Sequence, residues 1–249
     1  FDPADVPAPV RQASAEGEGA VHRFLEMVLK LSIVRSTDDE REQRQTAATY
    51  YGLMRLVDDQ IGRPLGYLRE SGQWDDTLVI VTADYGEQMG DHWMMGKLGW
   101  FDESYRIPLI VRDPRADADA TRSTVVEELT ENIDLMPTIL DWLGVDEIPL
   151  QCDGRSILPF LTTGAAPPEW RTEAHWEFDF RNPWDIERMQ RRGFRMEHCV
   201  LNVARSRTHK LVAFPNLPPL LYDLTDDPHE LVDRSADPAM AATLLEETQ

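Results

Sequence analysis

The sequence predicts an α/β layered fold followed by a smaller antiparallel part. Three observations lead there. Apolar residues recur at helical spacing between about residues 38 and 70. Two short continuous apolar runs follow, at 77–82 and 107–111. Beyond residue 174 the period shortens to alternation.

Residues 1–20 are rich in Pro, Ala, Gly and Asp and are expected to be extended surface chain. Residues 21–34 carry an apolar face and predict a short helix. Ser36-Thr37-Asp38-Asp39-Glu40 offers capping oxygens and early acids where a helix N-terminus favours them. From there Ala47, Tyr51, Met54, Val57, Ile61, Leu65 and Leu68 mark one face of a long helix. Pro64 lacks an N–H and clashes with the preceding turn, so it is expected to kink or divide that helix. Ser71-Gly72 ends it. The run 77–82 (Thr-Leu-Val-Ile-Val-Thr) then reads as a buried parallel strand, and 107–111 as a second one. Residues 134–143 predict an amphipathic helix, with Asp134 as its cap and Gly144 past its end. Helices alternating with strands give the α/β core. Pro167-Pro168 marks the boundary, which gives domains of 1–166 and 167–249. Strands are expected at 175–180, 200–204, 210–214 and 220–224, with a closing helix over 239–247.

Net charge is −20, from 25 Lys+Arg against 45 Asp+Glu. Nucleic acid and anionic membrane are poor partners for such a surface. No apolar stretch reaches the roughly 20 residues of a membrane helix. Cys152 and Cys199 have no metal-knuckle spacing, and a reducing, cytoplasmic compartment is the default expectation. No signal peptide is evident. The first residue is Phe1, and the chain is expected to be part of a longer one.

The informative stretch runs from Asp84 to Lys97. In open α/β sheets, ligands bind beyond the carboxyl ends of strands, and Asp84 stands where the apolar run ends. A carboxylate there can hold a cation rigidly. Gly86, Gly90 and Gly96 let the loop fold tightly over a small anion, and Lys97 brings it a compact positive charge. The blander alternative makes Asp84 a helix cap and Lys97 a surface charge.

The run 74–97 and its continuation 101–113 resemble the sulfatase branch of the alkaline phosphatase superfamily. Within that branch they are similar to phosphonate monoester hydrolases and arylsulfatases. Residues 134–138, 152–159 and 221–230 carry matching stretches, so the resemblance covers about residues 38–235. It implies the C-terminal portion of an enzyme with an alkaline phosphatase-like, mostly parallel sheet between helices, here partial. A small C-terminal α+β domain with antiparallel strands would complete it. The implied activity is metal-dependent hydrolysis of phosphonate monoesters, phosphodiesters or sulfate esters. It would use one divalent ion (Mn2+, Ca2+ or Mg2+) and a small anionic ester as substrate. The resemblance also implies a homo-oligomer.

Residue by residue, Asp84 matches the metal-binding Asp of the family's Asp-His-Gly pattern. Lys97 matches the lysine that contacts the transferred phosphoryl or sulfuryl oxygens. The family's nucleophile, a formylglycine made in a Cys/Ser-x-Pro-x-Arg motif, has no counterpart among these 249 residues. Neither do its N-terminal acidic ligands. Position 85 departs from the pattern, with Tyr where the family has a metal-ligating His. An imidazole is a good divalent-metal ligand, whereas a phenol must lose its proton to bind well. Three readings stand together: Tyr85 ligates as a phenolate, the site is weakened or lost, or the change has no adaptive meaning. A degenerate or truncated relative that binds without turnover is therefore the rival to the enzyme.

His92 either lines the site as a supporting residue or is a packed loop histidine. Glu87 and Asp91 are site-supporting or solvated acids. Asp102 and Arg106 read as a loop-fixing pair, and Asp58 and Asp59 as a solvent face. Tyr222, Asp223, Asp227, Pro228 and Glu230 read as structural. His175, Trp176 and Trp184 suggest core or interface packing. Arg188, Arg191, Arg192 and Arg195 suggest ion pairing within the protein.

Overall fold

A computed structural model describes residues 1–13, 23–30, 35–145, 151–181, 186–191 and 193–247. The expected helix residues 21–22 and 31–34, together with Trp184 and Arg192, lie outside the described residues. The chain forms two compact units that interleave along the sequence. The first takes Phe1–Val57, Tyr85–Ile107 and His175–Gln249; the second takes Asp58–Asp84 and Pro108–Ala174.

The core of the first unit is a four-stranded antiparallel sheet. Its strands are β5 (Ala174–Asp179), β6 (Val200–Arg205), β7 (His209–Ala213) and β8 (Leu220–Asp223), in that order across the sheet. Alternation predicted each of them to within a residue or two. Leu201, Val212 and Leu220 are fully buried, and Val203 nearly so. They join Phe24, Leu25, Val28 and Leu29 of helix α1 (Arg23–Leu29) and Trp100 and Phe101 in one apolar cluster. Phe24 meets the rings of Phe180 and Phe214 at 5.0 and 5.3 Å.

Helix α2 (Glu40–Glu70) starts where the capping chemistry placed it. Asp39 Oδ1 accepts from the backbone N–H groups of Arg41 and Glu42 at 2.8 and 3.2 Å. Pro64 does not divide it. The proline removes one N–H donor from a 31-residue helix, and the helix runs on through it to Glu70. The apolar face is covered only at its start. Gln43, Ala47 and Ala48 are buried, but Met54 and Val57 are 53% and 57% exposed.

In the second unit β1 (Val79–Thr82) pairs with β4 (Leu109–Arg112), Ile80 opposite Val111. The pairing is antiparallel and only half-buried, not the buried parallel arrangement expected of these runs. A parallel pair needs a crossover, usually helical. Between β1 and β4 the chain offers only α3 (Asp102–Tyr105), a single turn. One antiparallel strand is common in α/β sheets.

Helix α4 (Leu135–Trp142) ends on Gly144, whose φ of +73° suits glycine. Asp134 does not cap it through its side chain. Its carboxylate is instead a hub. It accepts from the N–H groups of Glu131 and Arg155 at 2.8 and 2.7 Å and from both terminal nitrogens of Arg171. Helix α5 (Leu158–Thr162) follows. Helix α6 (Ile186–Arg191) and the closing helix α7 (Ala241–Glu247) belong to the first unit. Among the described residues, no helix is long and apolar enough to cross a membrane. Cys152 and Cys199 are free thiols.

Leu201→Ala is expected to lower stability by about 2–5 kcal/mol through lost burial and a cavity. Met54→Ala should change it by under about 0.5 kcal/mol. Denaturant titration of the two variants side by side checks the contrast.

Candidate active site

Residues 85–97 fold as a tight hairpin, which the loop reading of the sequence did not specify. Strand β2 (Gln88–Met89) pairs with β3 (Met95–Gly96), Gln88 opposite Gly96 and Met89 opposite Met95. The turn is closed by Gly90 N–H on Met94 O at 2.8 Å and Met94 N–H on Asp91 O at 2.9 Å. Two glycines are structurally required. A Cβ on Gly86 would lie 2.1 Å from the Glu103 carbonyl oxygen. Gly90 has φ +105° and faces the amide of Gln43, which donates to Met89 O.

The hairpin leaves its two ends side by side. The Lys97 ammonium sits 3.4 Å from the centroid of the Tyr85 ring. Both residues are exposed, Tyr85 at 42%. Asp84, also exposed, follows β1 at the end of a segment of the second unit. The sequence missed Tyr50 as a neighbour. Burial first, then the Glu87 carboxylate, raise its phenol above the ordinary value against the pull of Lys97. Gln43, Ala47 and Tyr50 stand at i, i+4 and i+7 of α2, and that spacing carried the signal.

His92 is fully buried. Its ring stacks on Phe101 at 3.5 Å with planes 6° apart, its backbone N–H donates to Val10 O, and its Nε2 lies 3.5 Å from Glu103 Oε2. Asp91 accepts the Val10 N–H at 2.6 Å, and burial raises its carboxyl. Both residues pin the N-terminal segment to the turn.

Behind the hairpin lies a buried charge cluster. Lys210 of β7 is fully buried. Its ammonium donates to Trp100 O at 3.0 Å and Asp102 Oδ1 at 2.6 Å, and it contacts the Glu230 carboxylate. Arg205 adds a second bond to Asp102 at 2.8 Å. The partners of Asp102 are thus Arg205 and Lys210, and the expected side-chain pair with Arg106 gives way to them. Arg106 meets Asp102 through its backbone N–H. Burial works against both carboxylates. Lys210 and Arg205 nevertheless hold Asp102 down to about 2, while burial lifts Glu230 to about 8 despite Lys210. Tyr222 and Glu230 are structural, as expected: the Tyr222 hydroxyl accepts from Trp100 Nε1 at 3.1 Å.

Two groups of residues bear on a metal ion. Ligand atoms of His92, Glu103 and Glu230 lie within 4.8 Å of one another. The Lys210 ammonium already contacts the Glu230 carboxylate of this group. At the strand end, the Asp84 carboxylate suits an oxygen-preferring divalent ion. The Tyr85 ring, however, is engaged by an ammonium, and the donor set of this chain does not by itself make a complete site.

An α/β unit ending on an acid, a glycine-spaced hairpin bearing a lysine and an antiparallel C-terminal sheet define a class. Residues 11–145 match the sulfatase family, and residues 90–248 match the C-terminal region of N-sulphoglucosamine sulphohydrolase. The chain belongs to the sulfatase family, within the alkaline phosphatase-like fold. It is 43% identical over 98% of its length to the multifunctional alkaline phosphatase superfamily protein PehA of Trinickia caryophylli, of which it covers 49%. The phosphonate monoester hydrolase of Agrobacterium radiobacter superposes with a TM-score of 0.88 at 40% identity, covering all of this chain and 50% of that one. The hydrolase SpPMH of Silicibacter pomeroyi gives 0.86 at 38%, again covering all of this chain and 50% of that one. The chain spans about half the length of these relatives.

Glu230 gives a pH prediction. Its folded value, about 8, is above that of a free carboxyl. Its proton therefore stabilises the fold fully below the unfolded value, and this contribution is lost as pH rises toward 8. The thermal midpoint should fall between pH 5 and 8, and Glu230→Gln should flatten that slope. Calorimetry across the range checks it.

Proposed function

We propose that this chain is the C-terminal portion of a metal-dependent ester hydrolase acting on phosphonate monoesters, phosphodiesters or sulfate esters. The supporting observation is the hairpin that presents Lys97 beside residue 85, in a chain 43% identical to a multifunctional superfamily protein. Lys97 and Asp84 divide two roles in this reading. Lys97 donates to the oxygens of the transferred group, a charge in place before the transition state needs it. Asp84 is one oxygen ligand of a divalent ion, with Mn2+, Ca2+ and Mg2+ all suited to such a donor. When bound, that ion supplies Lewis-acid polarisation of the ester. The nucleophile, a formylglycine by family resemblance, lies outside these 249 residues. His92 supports the pocket from behind the hairpin. The domain boundary near Pro167-Pro168, a homo-oligomeric state and a reducing cytoplasmic location complete the proposal.

Tyr85 favours a second reading, a relative that binds an anionic ligand without turnover. In the full-length protein, Lys97→Ala should lower kcat/KM for an aryl phosphonate or sulfate ester by about two orders of magnitude or more. Near-full activity would remove Lys97 from the mechanism. Phosphate binding with no turnover by the unmutated protein would select the second reading.

A further inference from the structure

The geometry points to the aromatic ring of Tyr85 as a seat for the Lys97 ammonium, which makes Tyr85 a positioning residue for the anion-binding lysine. This inference rests on the proposed role of Lys97. The ammonium lies 3.4 Å from the ring centroid, well inside the roughly 6 Å within which a cation is drawn to a ring face. The attraction comes from the negative face of the ring and not from its hydroxyl.

Both ends of the contact are anchored by backbone. Gly86 donates its N–H to Ser104 O at 2.8 Å, next to Tyr85, and tolerates no side chain there. Gly96, next to Lys97, is registered opposite Gln88. What remains loose is the four-carbon stem of the lysine, whose rotamer freedom is costly to freeze. A ring face restrains that stem without cancelling the charge. Glu87 belongs to the same neighbourhood, because it and Lys97 act together on the Tyr50 phenol. The ring holds the ammonium without adding a formal charge of its own, whereas a carboxylate would add one. Residue 85 thus serves the anion here, through an aromatic face that an imidazole committed to a metal could not offer.

The test uses the full-length protein with isotope-labelled lysine, the Lys97 ε-methylene signal being assigned by its loss in Lys97→Arg. The ring should shift that signal clearly upfield of an exposed lysine. Tyr85→Phe keeps the ring and should keep the shift. Tyr85→Leu should return the signal to the free-lysine position with an unchanged thermal midpoint. Under the proposed function, Tyr85→Leu should also lose about 2- to 30-fold more kcat/KM for an aryl phosphonate monoester than Tyr85→Phe does. An unshifted signal in the unmutated protein, or a shift that survives Tyr85→Leu, overturns the inference. So does a Tyr85→Phe variant as defective as Tyr85→Leu. If no variant turns over, the enzymatic reading fails, while the lysine signal still decides the contact.

Discussion

A lysine ammonium shared by two carboxylates in the dry interior holds the first unit together. Lys210 is fully buried, in hydrogen-bond contact with Asp102 and in ion contact with Glu230. Burying a charge is costly unless it is paired and hydrogen-bonded, and removing one partner leaves the rest stranded. One ammonium cannot fully satisfy two carboxylates. Asp102, which also has Arg205, keeps the charge, while Glu230 is pushed toward the neutral form. The arrangement ties three distant stretches of sequence: the strand carrying Lys210, the turn after Phe101, and the segment following β8.

That tie matters because the turn at Asp102 is the floor on which the hairpin rests. The Glu103 carbonyl oxygen lies where a side chain on Gly86 would go, and the Ser104 carbonyl accepts the Gly86 N–H. His92 comes down on Phe101 and beside Glu103 from the other end of the hairpin. Tyr85 and Lys97 emerge from a hairpin fixed at both its turn and its base. Backbone placement brings the two residues together, and the ring contact restrains the lysine stem. Under the proposed function, a charge that meets an anion gains most from being fixed in advance.

Much of this was legible in the sequence. The four strands of the C-terminal sheet were placed from the sequence, although burial alternates only along β5 and β6, while Lys210, Leu211 and Val212 of β7 and Leu220, Leu221 and Tyr222 of β8 are all buried. The start of α2 followed from Asp39. The pairing of β1 with β4 was not legible, since a short apolar run carries no direction. The exposed middle of α2 was not legible either. Periodicity marks an apolar stripe at Met54 and Val57 but not what covers it. Asp134 looked like a cap because caps are local, whereas its partner Arg171 lies 37 residues away. The candidate site residues came from the family motif; their arrangement did not, because the ring contact of Tyr85 depends on hairpin register. The buried cluster did leave a trace. Lys210 alternates with Val212 and Phe214 on an apolar face, where a lysine is out of place unless it is paired.

The central claim is that this buried ammonium holds the hairpin that carries Lys97. Amide hydrogen exchange in Lys210→Met tests it most directly. The account predicts that Gly86, Gly90 and Met94 lose at least about tenfold in protection relative to Val212 in the sheet, the signature of local opening. Protection of those three amides that stays level with Val212 would contradict it.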